Sequence, residues 1–311
     1  MWYRSGGHGP RLRPWFGAKS TRGGAVGFDA RMAVSASAVW LNGGLVDPDQ
    51  AMVSAFDRGL TVGDGVFETL KVTAGRPFAV RRHLERLHRS AQGLGLDVPL
   101  VESSLRRVID EVTAASGLDL ARLRITLTGG LSPLGSGRAP STPTLIVAAG
   151  PLAPWEPDTV AVTAPWPRNE RSALAGVKTT SYAENVLALA EAHKVGATEA
   201  IVPNTRGDLC EGTGSNVFVV LDGELVTPSL MAGCLGGVTR ALVLELLPDA
   251  DQRDVPLSAL GDAEEVLLTS TTRDVQPLRM LDGRPLPGVD GPVARRALAA
   301  LTELQARDID P

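Results

Sequence analysis

Two hydrophobic rhythms run along this chain, and the change from one to the other marks out its elements. Over 121–128, Leu123, Ile125 and Leu127 alternate with Arg122, Arg124 and Thr126, the period of a strand with one buried face. Arg124 therefore shares a face with Thr126, turned either to solvent or inward toward an anion. Over 80–93, Leu84, Leu87 and Ala91 recur at helical spacing beneath a basic surface, and His83 and Arg86 stand three apart on one face. Residues 102–115 repeat the helical pattern through Leu105, Val108, Ile109 and Val112.

Shorter apolar runs predict the remaining strands. Residues 38–41 and 44–46 flank Asn42-Gly43, the strongest short hairpin signal in the chain. An apolar strand follows Gly63 and Gly65 and ends at Ala74-Gly75-Arg76-Pro77; these glycines mean close backbone approach to a ligand or only a bulge. Strands are also expected over 144–149, 160–163, 199–202 and 265–269, with a very apolar one reaching Val220 before the turn Asp222-Gly223. Helices are expected at 241–247 and 293–306.

The length, 311 residues, allows two domains with sizeable cores. The Pro-rich piece 151–157 reads as their linker, which divides the chain into a small α/β domain, 38–150, a linker at 151–154 and a larger α/β domain, 155–311. Residues 1–37 are rich in Arg and Gly with Asp29 as the one acid, and are expected to be a disordered extension; no amphipathic apolar face accompanies the arginines, so a transit peptide fits less well. A formal charge of -4 gives no case for nucleic acid or an anionic membrane, and no apolar run reaches transmembrane length. Cys210 and Cys234 make neither a disulfide framework nor, with His8, His83, His88 and His193, a metal site. A reduced, cytoplasmic setting fits.

The chemistry gathers around 176–185. Lys178 is followed at once by a helix start, in which Ser181 and Glu184 have the spacing of a capping box and Gly196 stands at the expected stop. A lysine at the mouth of a cleft can be desolvated and made nucleophilic, although most loop lysines are merely solvated. Glu211 is expected to head a Gly-rich loop that runs into a very apolar strand, and an acid between apolar segments calls for a cationic partner. Leu235-Gly236-Gly237-Val238-Thr239 leads into a helix and offers free amides to an anion, and Ser270-Thr271-Thr272 is a hydroxyl-rich turn after a strand. A Schiff-base lysine, a carboxylate and a phosphate cradle together suit pyridoxal 5'-phosphate.

Six segments, DRGLTVGDGVFET, HLERL, GVKTTSYAENVLA, CEGTGSNVF, LGGVTR and STTRDVQP, occur in the order found in the fold-type IV pyridoxal-phosphate enzymes, and from Val39 to about Pro287 the chain resembles that family. It includes branched-chain and D-amino-acid aminotransferases and aminodeoxychorismate lyase. The resemblance implies a two-domain α/β fold of α+β character, D-amino-acid aminotransferase-like, with the cofactor in the interdomain cleft of each subunit of a homodimer. Carried over by position, Lys178 is the Schiff-base lysine and proton shuttle, and Glu211 pairs with the pyridine nitrogen. Arg86 holds the phosphate with the amides of Gly237, Val238 and Thr239 and with Thr271. Leu235 packs beneath the ring and Tyr182 stands near its oxygen; Arg58 is the weaker phosphate candidate. Thr69 is expected, with Arg124, to meet substrate. Val62 replaces a common aromatic residue on a pocket wall, and Gly129 replaces an arginine of several relatives. The GDGVFET wording is most similar to bacterial aminodeoxychorismate lyases, which release pyruvate and 4-aminobenzoate for folate synthesis; the alternative is an aminotransferase for branched-chain or D-amino acids. A non-catalytic binding protein would have no need of Lys178 and Glu211.

Overall fold

The computed structural model describes residues 38–311, so the expected extension, 1–37, lies outside the described residues. Six antiparallel strands form the first sheet: β1 (Ala38–Leu41), β2 (Gly44–Val46), β3 (Gly65–Thr73), β4 (Arg76–Pro77), β5 (Leu120–Thr128) and β6 (Thr144–Pro151), in the order β2-β1-β6-β5-β3-β4. The Asn42-Gly43 hairpin forms as read, with both residues at positive φ. A short helix, α1 (Arg58–Thr61), precedes β3; α2 (Val80–Leu94) and α3 (Glu102–Ser116) cover one face of the sheet. The alternation in β5 is kept: Leu123, Ile125 and Leu127 are buried with Leu84, Leu87, Leu105 and Ile109, while Arg122 and Arg124 take the opposite face.

The second sheet is mixed and nine-stranded: β7 (Thr159–Thr163), β8 (Glu199–Pro203), β9 (Leu209–Gly212), β10 (Asn216–Leu221), β11 (Glu224–Thr227), β12 (Asp251–Gln252), β13 (Glu265–Ser270), β14 (Asp274–Leu281) and β15 (Arg284–Pro285). After Asn216, β10 is apolar to its end, and both its faces are covered. Phe218 and Val220 pack with α5 (Val238–Leu246) and α6 (Pro292–Arg307), and Val217 and Val219 pack on the other side with Val226, Leu260 and Leu268. α4 (Ala183–Lys194) lies against β8 through Ala188 and Ala192.

Three details differ from the sequence reading. The capping box does not form: α4 begins at Ala183 with Tyr182 at its N-cap and no side-chain cap, and the Ser181 hydroxyl instead donates to the Gly63 carbonyl at 2.9 Å. Glu211 lies inside β9, opposite Val202, rather than heading a loop. α5 begins at Val238, three residues earlier than the apolar pattern suggests, with Val238 and Thr239 of its first turn also lining the cleft.

The two halves are tied together at several places. Lys71 in β3 pairs with Asp274 in β14. At the start of α2, Phe78 and Ala79 sit in the core formed by α5 and α6. The final residues return to the same place, where the Ala79 N–H donates to the Ile309 carbonyl at 2.8 Å.

Candidate active site

Lys178 belongs by sequence to the second half but is seated on the first sheet. The Phe67 N–H donates to the Lys178 carbonyl at 2.9 Å, and the Thr180 N–H donates to the Gly65 carbonyl at 2.8 Å. The Thr179 and Thr180 hydroxyls donate to the Gly65 and Gly63 carbonyls, each at 3.0 Å. The two glycines serve this contact. A Cβ on Gly65 would stand 2.9 Å from Thr180 Oγ1, and one on Gly63, at φ +66°, would stand 2.6 Å from Ser181 Oγ. Their close backbone approach is thus to the lysine segment of the chain itself.

From this seat the Lys178 side chain enters a cavity of about 330 Å³ between the sheets. Its Nζ lies 4.4 Å from the centre of the Phe67 ring. Burial, with the like charge of Arg86, pushes the amine down to about 8, against the opposing pull of Glu68 and Glu211. A low-dielectric seat favours the neutral, nucleophilic form.

Glu211 reaches the same cavity from β9. Burial raises its carboxyl above the ordinary value, while Arg168, the Leu235 N–H and Lys178 oppose that rise. The Leu235 amide donates to Glu211 Oε2 at 2.9 Å, and Arg168 Nε stands 3.3 Å from Oε1. Tyr182 donates its hydroxyl to the Thr213 carbonyl at 2.8 Å and packs edge-on to Phe67, ring centres 5.4 Å apart. Burial, then Glu211 and Glu199, push that phenol up to about 12, so the hydroxyl keeps its proton.

Arg86 closes another end of the cavity, and its partner is a residue the sequence reading passed over. Glu68 occupies a core-facing position of β3 among Val66, Leu70 and Val72, fully buried. Arg86 Nε and NH2 donate to its two oxygens at 2.7 Å each, and His83 Nδ1 lies 2.7 Å from Oε2. Burial opposes the Glu68 charge, yet Arg86 and His83 together hold the carboxyl well below the usual carboxylate range. Burial pushes the His83 imidazole below its ordinary value, with Arg86 and Lys178 acting in the same direction and Glu68 against them. Arg86 NH1 donates to the Gly236 carbonyl at 3.2 Å, beside the start of α5. The first intrahelical bond there runs from the Ala241 N–H to the Gly237 carbonyl, so the amides of Val238 and Thr239 have no partner within the helix. A Cβ on Gly237 would run into Asn216 Oδ1.

Most residues named for the site from the sequence line this one cavity: Thr69, Arg86, Arg124, Lys178, Tyr182, Glu211, Leu235, Gly237, Val238, Thr239 and Thr271. Arg124 stacks on Phe67 with its guanidinium carbon 3.8 Å from the ring centre, and Arg122 stands beside it on the same face. Arg58 is elsewhere, held by Asp64 at 2.7 Å and by the carbonyls of Ser136 and Gly137. Val62 borders neighbouring pockets rather than this wall, and at Gly129 a Cβ would meet Asp64 Oδ2 at 2.8 Å. Arg168 and Glu68 were missed. The signal for Glu68 was present: a lone acid at a core-facing position of an apolar strand, with His83 and Arg86 three apart on the next helix.

The class IV amino-transferase family model matches residues 65–281. A Methanocaldococcus jannaschii protein, provisionally named a branched-chain-amino-acid aminotransferase, is 34% identical over 254 residues, which cover 79% of this chain and 88% of that one. The D-alanine aminotransferase of Staphylococcus haemolyticus is 30% identical over 267 residues, covering 83% and 94%. Among solved structures, the branched-chain aminotransferase of Thermoproteus uzoniensis superposes with a TM-score of 0.82 at 29% identity, over 87% of this chain and 95% of that one. The fold is thus that of the fold-type IV, pyridoxal-phosphate-dependent enzymes, and the chain belongs to the class IV aminotransferase family.

The residues present fit the cofactor. A buried amine of lowered pKa stands between a carboxylate and a helix N-terminus whose amides lack helical partners. The cavity wall also holds Thr269 Oγ1, a buried hydroxyl with no hydrogen-bond partner among the described residues.

Proposed function

We propose that the chain is a pyridoxal-phosphate-dependent aminotransferase that moves the amino group of a carboxylate-bearing amino acid to a 2-oxo acid. The observation that carries this reading is Lys178, an amine brought to about 8 in a cavity shared with Glu211 and the start of α5. When bound, the cofactor supplies an aldehyde for that amine and a conjugated ring that draws electrons from the substrate's α carbon. Arg86, the amides at Gly237, Val238 and Thr239, and Thr271 hold its phosphate. Glu211 pairs with the ring nitrogen and keeps it cationic, Leu235 packs against one ring face, and Tyr182 orients the ring oxygen. With its amine free, Lys178 would take the proton from the substrate's α carbon and return it to the carbon on the other side of the transferred nitrogen. Arg124 and Thr69, opposite each other across β5 and β3, receive the substrate carboxylate. The aminotransferases among the relatives support this reading.

A specific observation favours a second reading, elimination of pyruvate from 4-amino-4-deoxychorismate to give 4-aminobenzoate. Arg122 and Arg124 line the cavity with no carboxylate paired to either among the described residues, an arrangement that suits a substrate with two carboxylates. Lys178 and Glu211 serve both reactions. Purified, cofactor-loaded enzyme given L- and D-amino acids with 2-oxoglutarate or pyruvate, and separately 4-amino-4-deoxychorismate made in situ, decides between them. Fast amino-group transfer with negligible 4-aminobenzoate is expected; rapid 4-aminobenzoate and pyruvate release without transfer would reject the lead in favour of the lyase.

We also infer a two-part chain, 38–150 and 155–311, acting as a cytoplasmic homodimer. Exposed Phe56, Leu60, Val186 and Leu187 on and beside α1 and α4 support the dimer, and the reduced Cys210 and Cys234 support the compartment. Among the described residues no helix is long and apolar enough to cross a membrane. A monomer in sedimentation equilibrium would remove the dimer.

A further inference from the structure

The helix that carries His83 and Arg86 has no cap of its own. Ala79, at its N-cap, is left-handed at φ +55° and offers no side-chain oxygen to the first turn. Helices place amides there that need partners. The partners come from the far end of the chain: the Arg81 N–H donates to Asp310 Oδ1 at 2.7 Å, next to the Ala79–Ile309 bond. Asp310 Oδ2 accepts from Arg106 of α3 at 2.8 Å. The Arg81 and Arg82 side chains both donate to the Pro311 carbonyl, at 2.8 and 2.9 Å, and Arg82 also grips both carboxylate oxygens of Glu245 in α5 at 2.7 and 2.8 Å.

We propose that Asp310 is a positioning residue for the cofactor phosphate, acting as the cap of α2 from 229 residues away. Arg86 lies six residues beyond Val80, about 9 Å along the helix axis, so an ordered first turn fixes the axial position of its guanidinium. The negative carboxylate also opposes the positive end of the helix dipole. Through Arg82 and Glu245 the same turn is joined to α5, the helix whose first amides form the other side of the phosphate cradle. The tail thus joins the first turn of α2 to the last turn of α5, the two helices that each bring part of the cradle. This inference rests on the proposed phosphate role of Arg86.

The test compares ligands that differ only in the phosphate. Dissociation constants for pyridoxal phosphate and for pyridoxal are measured on the full chain freed of cofactor, for wild type, Asp310→Ala and Asp310→Asn. Loss of a helix cap predicts a three- to tenfold weaker hold on pyridoxal phosphate in Asp310→Ala, with pyridoxal unchanged within about twofold. Asp310→Asn retains an acceptor oxygen and recovers most of the loss. Amide hydrogen exchange at Arg81 and Arg82 quickens in step with the weakened binding. Equal weakening of both ligands would mean general loosening and overturn the proposal, as would an unchanged affinity for pyridoxal phosphate. A wild-type chain that binds the two ligands alike would instead overturn the phosphate cradle itself, and the proposal with it.

Discussion

Lys178→Met replaces the amine by an apolar chain of similar length, and the structure predicts that it makes the cofactor-free protein more stable. Folded Lys178 gives up its proton near 8, whereas in the unfolded chain it does so near 10.5. That gap corresponds to about 3 kcal/mol of unfavourable burial of the charged amine at neutral pH. The sign follows from proton counting. Between pH 8 and 10.5 the unfolded state holds more protons, so the wild-type protein gains stability as pH rises through that window. The methionine variant carries no such charge. Its advantage is therefore greatest, about 2–3 kcal/mol, below pH 8, and shrinks toward zero by pH 10.5. Urea denaturation of both cofactor-free proteins at a series of pH values measures it. An advantage absent at pH 7, or equal at pH 7 and pH 10, would refute the reasoning. Confirmation would mean that the reactive amine is held at the expense of stability.

Glu68→Gln leaves the Arg86 charge buried without its anion, at a cost of about 3–5 kcal/mol in denaturant unfolding; a loss below about 1 kcal/mol would mean that solvent reaches Arg86 freely. His83, packed between Glu68, Arg86, Lys178 and Thr271, is held below its ordinary value, so the unfolded state takes up the extra proton first and stability falls as pH drops below about 6.5. The slope from this residue is at most about 1.4 kcal/mol per pH unit, and it should vanish between pH 6.5 and 5 in His83→Gln.

What was legible in the sequence depended on how local the cause was. The strand at Leu123, Ile125 and Leu127 could be read because one face meets α2 and α3 along its whole length, so the period of two is unbroken. The residues of the site could be named because their motifs stand in a fixed order, yet the seat of Lys178 could not. Gly63 and Gly65 need their small size for contacts to Ser181 and Thr180, far away in the chain, and nothing in GDGVF signals that partner. Ser181 and Glu184 have the correct spacing for a capping box, but the helix starts one residue later, with Tyr182 at its N-cap, and the Ser181 hydroxyl donates to the Gly63 carbonyl instead. Glu68 was overlooked for the opposite reason. An acid in an apolar strand reads as an exposed interruption until the turn at 74–77 folds α2 over it and brings Arg86 within 2.7 Å.

The seating of Lys178 on β3 makes covalent order a poor guide to which pieces of the molecule belong together. A chain cut at 155 would leave the lysine on the larger fragment and its hydrogen-bonded seat on the smaller one. The smaller fragment would keep Arg86 and Glu68, and the larger would keep Glu211 and Leu235. Neither fragment would own a depressed amine, because the lysine is on one and the cations that join burial in lowering it, Arg86 and Arg124, are on the other. The reactive group is a property of the fitted pair, and complementation of two inert pieces would be read out directly by the return of an amine that titrates near 8.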